Sequence, residues 1–413
     1  MKKHICTIYI CLGALMASGQ EAAGVFNKDS KTGCMVWCTY PVLEVSWDGN
    51  CKNKFAEGSG TAVWSYQGQE SSRYVGTMQK GKQEGKGRYI YPDGRQLQGN
   101  FSEGEFLNLD DAYLKRLTKS RVSATDSTEL YVSDGGAKSL YYHMLMPVDP
   151  VKGVLVLLPG GWETTQHVLS STRDLCQLAS DRQFAVIVPS LNQHIMLTKG
   201  NLDFINTALE DAISRYHLPR DKFVMGGFSM GGHLSLRYTE LAMEDSTQTV
   251  VVPKAVFSVD GPTDLANAYK SWERNLSNER NMNKTEPQYA MGVMEKYTGG
   301  TPATAHDRYV WYSTYTASEK DGGNARFLGN IPVRIYNDTD ISWWIANRGV
   351  DLYDMNALDQ SAMINFLVGI GNQQAEFINA FGKGFRIEGF RHPHAWSIVD
   401  AADCVDWITK SLN

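Results

Sequence analysis

KFVMGGFSMGGHLSLRY, residues 222–238, is the stretch on which the reading of this chain turns. An apolar run leads into Gly227-Phe228-Ser229-Met230-Gly231, and a helical pattern follows at once. A serine on a sharp strand-to-helix turn needs residues two before and two after it without bulky Cβ substituents, or the turn collides with itself. Gly227, Gly231 and Gly232 meet that need. The same turn sets the serine at a helix N-terminus, where backbone N–H groups and the helix dipole favour developing negative charge. Glycine-rich turns around a serine are common, so the strand before and the helix after are what give this one weight.

On either side of this stretch continuous apolar runs recur: GVLVLLPGG (153–161), FAVIVPS (184–190), KAVFSVDGP (254–262) and IPVRIYND (331–338). Between them lie amphipathic segments such as NLDFINTALEDAISRYH (201–217). β-Branched runs separated by helices predict an α/β fold with a mostly parallel sheet covered by helices on both faces. STELYVSDGG (127–136) and KSLYYHMLMP (138–147) read as an opening hairpin.

Ahead of this domain the glycines repeat: WDG at 47–49, YVG at 74–76 and LQG at 97–99, with Gly58-Ser59-Gly60 and Gly85-Lys86-Gly87 between. GKGRYIYPDGRQLQGNF alternates apolar and polar residues around an Asp-Gly turn, which predicts short hairpins. The stretch resembles MORN repeats, with YVGTMQKGKQEGKGRYIYPDG as the best-matching unit between an irregular first unit and a truncated last one. By that resemblance the module makes peripheral membrane or protein contacts; a structural β cap is an equal reading. The expected organisation is a signal peptide over 1–19, a β-rich repeat module over 25–107, a connection over 108–124 and a catalytic domain over 125–413, with 262–330 a cap insertion.

From about 125 to 413 the chain resembles the α/β-hydrolase superfamily, in particular its esterase branch, on the strength of the Gly227-to-Gly231 motif and the ordered strands around it. The resemblance implies a Ser229 nucleophile and an oxyanion hole made by the N–H of Met230 and one from the loop after GVLVLLPGGW. Gly161 is the expected donor there. Pro159 stands where the family usually has a histidine, which leaves Trp162 as the alternative. The family order of serine, acid, histidine places both partners after Ser229. Of His233, His306, His392 and His394, the first falls on the helix after the serine and the second in a polar insertion; His392 precedes a proline. His394, followed by Ala395-Trp396, resembles the family's His-x-Trp and is the expected base. Two places can supply the acid: Asp260 after KAVFSV, or the turn after IPVRIY with Asp338 and Asp340. The family's commoner position is the later one, which implies Asp340. Trp162, Trp343 and Trp344 are candidate substrate-binding surfaces, able to face a sugar ring or an aromatic acyl group or simply to fill the core under the cap.

The 413 residues carry 40 Lys+Arg against 45 Asp+Glu, a formal charge of -5, too balanced for nucleic acid as the main partner. A small-molecule or glycan-linked ester fits the expected chemistry, with no metal and no cofactor required. MKKHICTIYICLGALMASGQ has two lysines, a short apolar run and small residues after it, which predicts a secretory signal and a secreted or periplasmic protein. The mature chain would keep Cys34, Cys38, Cys51, Cys176 and Cys404. In the resembled fold the helices bearing Cys176 and Cys404 cover one sheet face, which implies a disulfide between them. Cys38 with Cys51 is the further expectation, leaving Cys34 over. The function predicted is ester hydrolysis through an acyl-enzyme. A prolyl-oligopeptidase-like peptidase, which usually carries a far larger N-terminal propeller, and a non-catalytic binding protein on a hydrolase fold are the alternatives.

Overall fold

The computed structural model describes residues 25–38, 43–123, 140–191, 195–281 and 284–412. The expected signal segment 1–19 and the first arm of the expected hairpin, 127–136, lie outside them.

The N-terminal sheet contains β1 (Val25–Lys28), β2 (Met35–Cys38), β3 (Glu44–Trp47), β4 (Asn50–Lys52), β5 (Phe55–Tyr66), β6 (Gln69–Gln79), β7 (Lys82–Ile90), β8 (Gln96–Ser102) and β9 (Glu105–Phe106). β5 to β8 form an antiparallel meander, and its register explains the glycine repeat. Gly60 pairs with Gly76, Gly76 with Gly87, and Gly87 with Gly99, so the glycines form one row across four strands. Aromatic rings occupy the space they leave: a Cβ at Gly76 or Gly87 would meet Tyr74 Oη at 2.4 or 2.3 Å, and one at Gly60 would meet the Trp47 ring at 2.6 Å. Cys34 and Cys51 form a disulfide with Cα atoms 5.7 Å apart. The pairing of Cys51 with Cys38 is thereby corrected: Cys34 is the partner, and Cys38 is a buried free thiol beside the Trp64 indole.

A single-turn helix, α1 (Asp111–Leu114), leads to the second sheet. Its strands are β10 (Leu117–Arg121), β11 (Tyr141–Leu145), β12 (Gly153–Leu158), β13 (Phe184–Pro189), β14 (Phe223–Phe228), β15 (Ala255–Val259), β16 (Val333–Asn337) and β17 (Ala375–Asn379), in the order β10-β11-β13-β12-β14-β15-β16-β17. The sheet is mixed rather than mostly parallel. Five pairings from β13 to β17 are parallel, while β10–β11 and β11–β13 are antiparallel. Residues 117–121, expected to be part of a connection, are thus the first strand of this sheet, and they take the place beside β11 expected for 127–136. β17 carries no strand signature in the sequence, because AEFIN is a half-buried edge without a continuous apolar run.

Every residue of β11 to β16 is buried, as strands covered on both faces require. The layers are α2 (Thr165–Ser171), α3 (Arg173–Asp181), α4 (Lys199–Tyr216), α5 (Met230–Glu244), α10 (Ala357–Gly369) and α11 (Ala401–Leu412). Between β15 and β16 lie α6 (Leu265–Ser277), α7 (Thr285–Thr298) and α8 (His306–Tyr312), which share a small core of their own around Leu265, Met294 and Tyr309. α9 (Ile341–Arg348) follows β16. α3 and α11 do pack together in one hydrophobic cluster. The expected Cys176–Cys404 bond is nevertheless absent: both are buried free thiols, Cys176 lying 3.2 Å from Thr172 Oγ1. The repeat module is docked onto this domain. Leu107 and Leu109 enter its core, Ser170 Oγ donates to Phe106 O (2.7 Å), and Arg95 lies over the Phe390 ring with Nη1 3.4 Å from Glu388 O. No helix among the described residues is long and apolar enough to cross a membrane.

Candidate active site

Ser229 joins the end of β14 to the first residue of α5 with φ +53° and ψ −121°, a conformation that L-residues rarely adopt. The glycines around it have no room for a side chain. A Cβ on Gly227 would lie 2.2 Å from Gly231 O, one on Gly231 2.1 Å from Leu158 O, and one on Gly232 2.4 Å from Ser258 Oγ. The Ser229 N–H donates to Val259 O (2.8 Å), which ties the turn to the neighbouring strand.

Val259 is followed by Asp260, also at positive φ (+49°). Its Oδ2 lies 2.6 Å from His394 Nδ1. The other oxygen is held by two amides: Asn337 Nδ2 donates to Oδ1 at 2.7 Å and Asn356 Nδ2 at 3.1 Å, while Asn356 also reaches the Asp260 carbonyl (2.9 Å). Asn337 in turn donates to Gln360 Oε1 (2.9 Å), and Gln360 Nε2 donates to Gly261 O (2.8 Å). The carboxylate is therefore fixed from three elements, the end of β16, the segment before α10 and α10 itself.

The acid expected from the family pattern, Asp340, is not the partner of His394. It caps α9, accepting from Trp343 N (3.0 Å), and accepts from Arg391 Nη2 (3.0 Å). Asp338 is buried, accepts from Gly382 N (3.1 Å) and Gly384 N (2.9 Å), and pairs with Arg391 at 2.8 Å. Both carboxylates after β16 thus hold the loop that delivers His392 and His394, and Asp260 alone of the three reaches the imidazole. The signal for this was in the sequence only indirectly: Asp260 and Gly261 follow a strand directly beside β14, but so adjacent a position is decided by strand order, not by local pattern.

His394 packs on the Phe228 ring (4.4 Å between centroids), and its N–H donates to His392 Nδ1 (3.2 Å). His392 is held neutral: burial, and after it the positive charge of Arg386, with His394 and Arg348 also near, pushes its pKa down to about 2. His233 is buried on α5 with Nδ1 2.9 Å from Pro262 O, and burial lowers its pKa to about 4. His306 is exposed and pairs with Glu319 (2.9 Å).

Ser229, Asp260 and His394 open on one cavity of about 280 Å³ together with Met230, Gly161 and Trp162. Trp162 is the third non-glycine residue of this cavity at positive φ (+61°), after Ser229 and Asp260. In the loop after β12 the Gly160 N–H is committed to Glu163 Oε2 (2.7 Å), which also accepts from Trp396 Nε1 (3.2 Å). Glu163 thereby ties the loop to the residue two after His394. Trp344 lines the cavity, and the Trp162 ring meets Tyr289 of α7 at 5.2 Å. Trp343 is not among the lining residues; it packs on the His392 ring at 4.7 Å, which corrects its assignment as a substrate surface. No group of three or more His, Cys, Asp or Glu among the described residues is arranged to hold a metal ion.

No family model matches the sequence, and no curated protein matches it either. Similarity is found among solved structures instead. The chain is similar to carboxyl esterase 2 of the mycorrhizal fungus Tuber melanosporum, at 13% identity over 72% of this chain and 88% of that one, with a TM-score of 0.47. It is similar to a fungal esterase of Rhizomucor miehei at 15% identity, covering 72% and 84%, with a TM-score of 0.47. A hyperthermophilic esterase of the archaeon Pyrobaculum calidifontis matches at 13% identity, covering 72% and 82%, with a TM-score of 0.44.

Proposed function

We propose that the chain is a serine hydrolase that cleaves carboxylic esters through an acyl-enzyme, with Ser229 as nucleophile, His394 as base and Asp260, rather than Asp340, as the acid. The observation that carries the reading is the 2.6 Å contact of Asp260 with His394 Nδ1, on a histidine that opens on the same cavity as a strained serine. In this reading Asp260 accepts the Nδ1–H and so leaves Nε2 unprotonated. Nε2 takes the Ser229 proton as Oγ attacks the ester carbonyl, then gives it to the departing alcohol; water repeats the sequence on the acyl-enzyme. The Met230 N–H at the start of α5 stabilises the oxyanion, and with Gly160 engaged by Glu163 the second donor is Gly161, or Trp162 one residue on. The aromatic lining suits ring-bearing esters, whether glycan-linked or aryl. Export through residues 1–19 and MORN-like contacts of the repeat module complete the proposal.

A fluorophosphonate probe labels only an activated serine. Labelling of the wild-type chain and its loss in Ser229→Ala, with turnover of p-nitrophenyl acetate lost in parallel, are the expected results. Labelling that survives Ser229→Ala would overturn the assignment.

A further inference from the structure

We propose that Arg348 and Arg386 form a carboxylate-binding subsite beside His394, so that the preferred substrate is an ester bearing a free carboxylate on one of its two halves. This rests on the reading of Ser229 and His394 as the reacting groups of the cavity.

Both guanidiniums line that cavity. Arg348, the last residue of α9, places Nη2 3.2 Å from His392 Nε2, and the His392 ring lies 6.4 Å from that of His394. The positive charge is thus one side chain away from the proposed base. Arg386 arrives from the loop after β17 and lies over the Phe228 ring at 5.5 Å, on the same aromatic that packs against His394.

Neither arginine has a carboxylate within 4 Å among the described residues, and this sets them apart from their neighbours. Arg391, five residues further along the same loop, holds both Asp338 (2.8 Å) and Asp340 (3.0 Å). Of the cavity's own acids, Asp260 is held by His394 and Asp354 by Arg274 (2.9 Å) and Ser271 (2.9 Å), while Glu286 on α7 makes no close ion pair with either arginine. Arg386 is desolvated enough that burial pulls its pKa below the usual arginine value, with Glu163, Glu388 and Glu286 opposing that only through longer-range attraction. Arg386 is half-buried and makes no close ion pair, and a planar fork of unspent N–H donors matches a carboxylate in two parallel bonds. A substrate carboxylate would supply that close partner next to the scissile bond.

The carboxylate can sit on the acyl half or on the alcohol half, and two isosteric pairs separate these sources. Methyl hydrogen terephthalate against methyl 4-carbamoylbenzoate tests the acyl side; 4-acetoxybenzoate against 4-acetoxybenzamide tests the alcohol side. The full chain is expected to favour the carboxylate member of one pair in kcat/KM by about tenfold or more, the order of one charge-assisted pair. Arg348→Gln and Arg386→Gln are each expected to collapse that ratio toward unity, with Arg386→Lys intermediate. Binding of terephthalate to the wild-type and Arg386→Gln proteins, followed by calorimetry, gives a readout that needs no turnover and should weaken by a similar factor. Equal use of both members in both pairs, or a preference that survives both glutamine variants, overturns the subsite while leaving the hydrolase standing. If the wild-type chain turns over none of the four and escapes the fluorophosphonate, it is the reading of Ser229 that fails; the calorimetry then still decides the subsite, and no terephthalate binding would overturn it.

Discussion

Replacing Asp260 by asparagine should leave the fold intact and stop the chemistry, for a reason that can be worked out atom by atom. Oδ1 of Asp260 accepts from Asn337 Nδ2 at 2.7 Å and from Asn356 Nδ2 at 3.1 Å, so in the variant the amide must turn its oxygen to these two donors. Its NH2 then faces His394 Nδ1, where Oδ2 stood at 2.6 Å. Nδ1 becomes an acceptor, the imidazole proton moves to Nε2, and no lone pair remains to take the Ser229 proton. Trapping this tautomer is expected to lower kcat by about 10⁴, or about 5 kcal/mol of lost transition-state stabilisation. Asp340→Asn is the control. Asparagine caps a helix as well as aspartate does, and Arg391 keeps Asp338 at 2.8 Å. That change should cost at most about 1 kcal/mol of stability and leave kcat within a few-fold. Steady-state kinetics on p-nitrophenyl acetate, with melting curves for each variant, decide it. A crippled Asp340→Asn beside a nearly unaffected Asp260→Asn would place the acid in the turn after β16 instead.

Four further outcomes are expected. Gly87→Ala puts a methyl group 2.3 Å from Tyr74 Oη and should destabilise the repeat module by about 1–3 kcal/mol, read as a lower melting temperature that Gly292→Ala, at an ordinary φ with nothing within 4 Å, does not share. Cys34→Ser removes a cross-link spanning a separation of 17 residues and should cost about 3 kcal/mol, whereas Cys176 and Cys404 should react with a thiol reagent only after unfolding. A fragment beginning at 109 strips Leu107 from the core under the second sheet, which should cost about 1.5–3 kcal/mol relative to one beginning at 105; equal melting temperatures would contradict the docking of the repeat module there. His143, His233 and His392 are held neutral by burial with pKa values of about 3, 4 and 2. Below the unfolded value near 6.5 only the unfolded chain takes up these protons, so stability should be full above that pH and fall by about 1.4 kcal/mol per histidine for each unit below it; a melting temperature unchanged between pH 7 and 5.5 would rule this out.

What the sequence determined by itself was whatever depends on near neighbours. Ser229 was legible because its turn is a local steric problem, and Gly227, Gly231 and Gly232 answer it within a few residues on either side. The buried strands β12 to β16 were legible because burial on both faces forces continuous apolar runs, and the glycine repeat announced its hairpins for the same reason. His394 stood out only through the resemblance of His394-Ala395-Trp396 to the family's His-x-Trp. What remained belonged to the tertiary structure. Asp260, Asp338 and Asp340 all stand at strand ends with the same local look, and which of them meets His394 depends on β15 lying beside β14 and on how the loop after β17 folds back. β10 and β17 are edge or near-edge strands whose partial burial writes no strong pattern. The cysteine pairing failed likewise: two helices on one sheet face bring Cys176 and Cys404 into a shared core without bringing their sulfurs together, while Cys34 and Cys51 meet because β2 and β4 both pair with β5. Local sequence fixes conformations a few residues wide; contacts across 23 to 134 positions are set by strand order and loop closure, and there the decisive hydrogen bonds of this site are found.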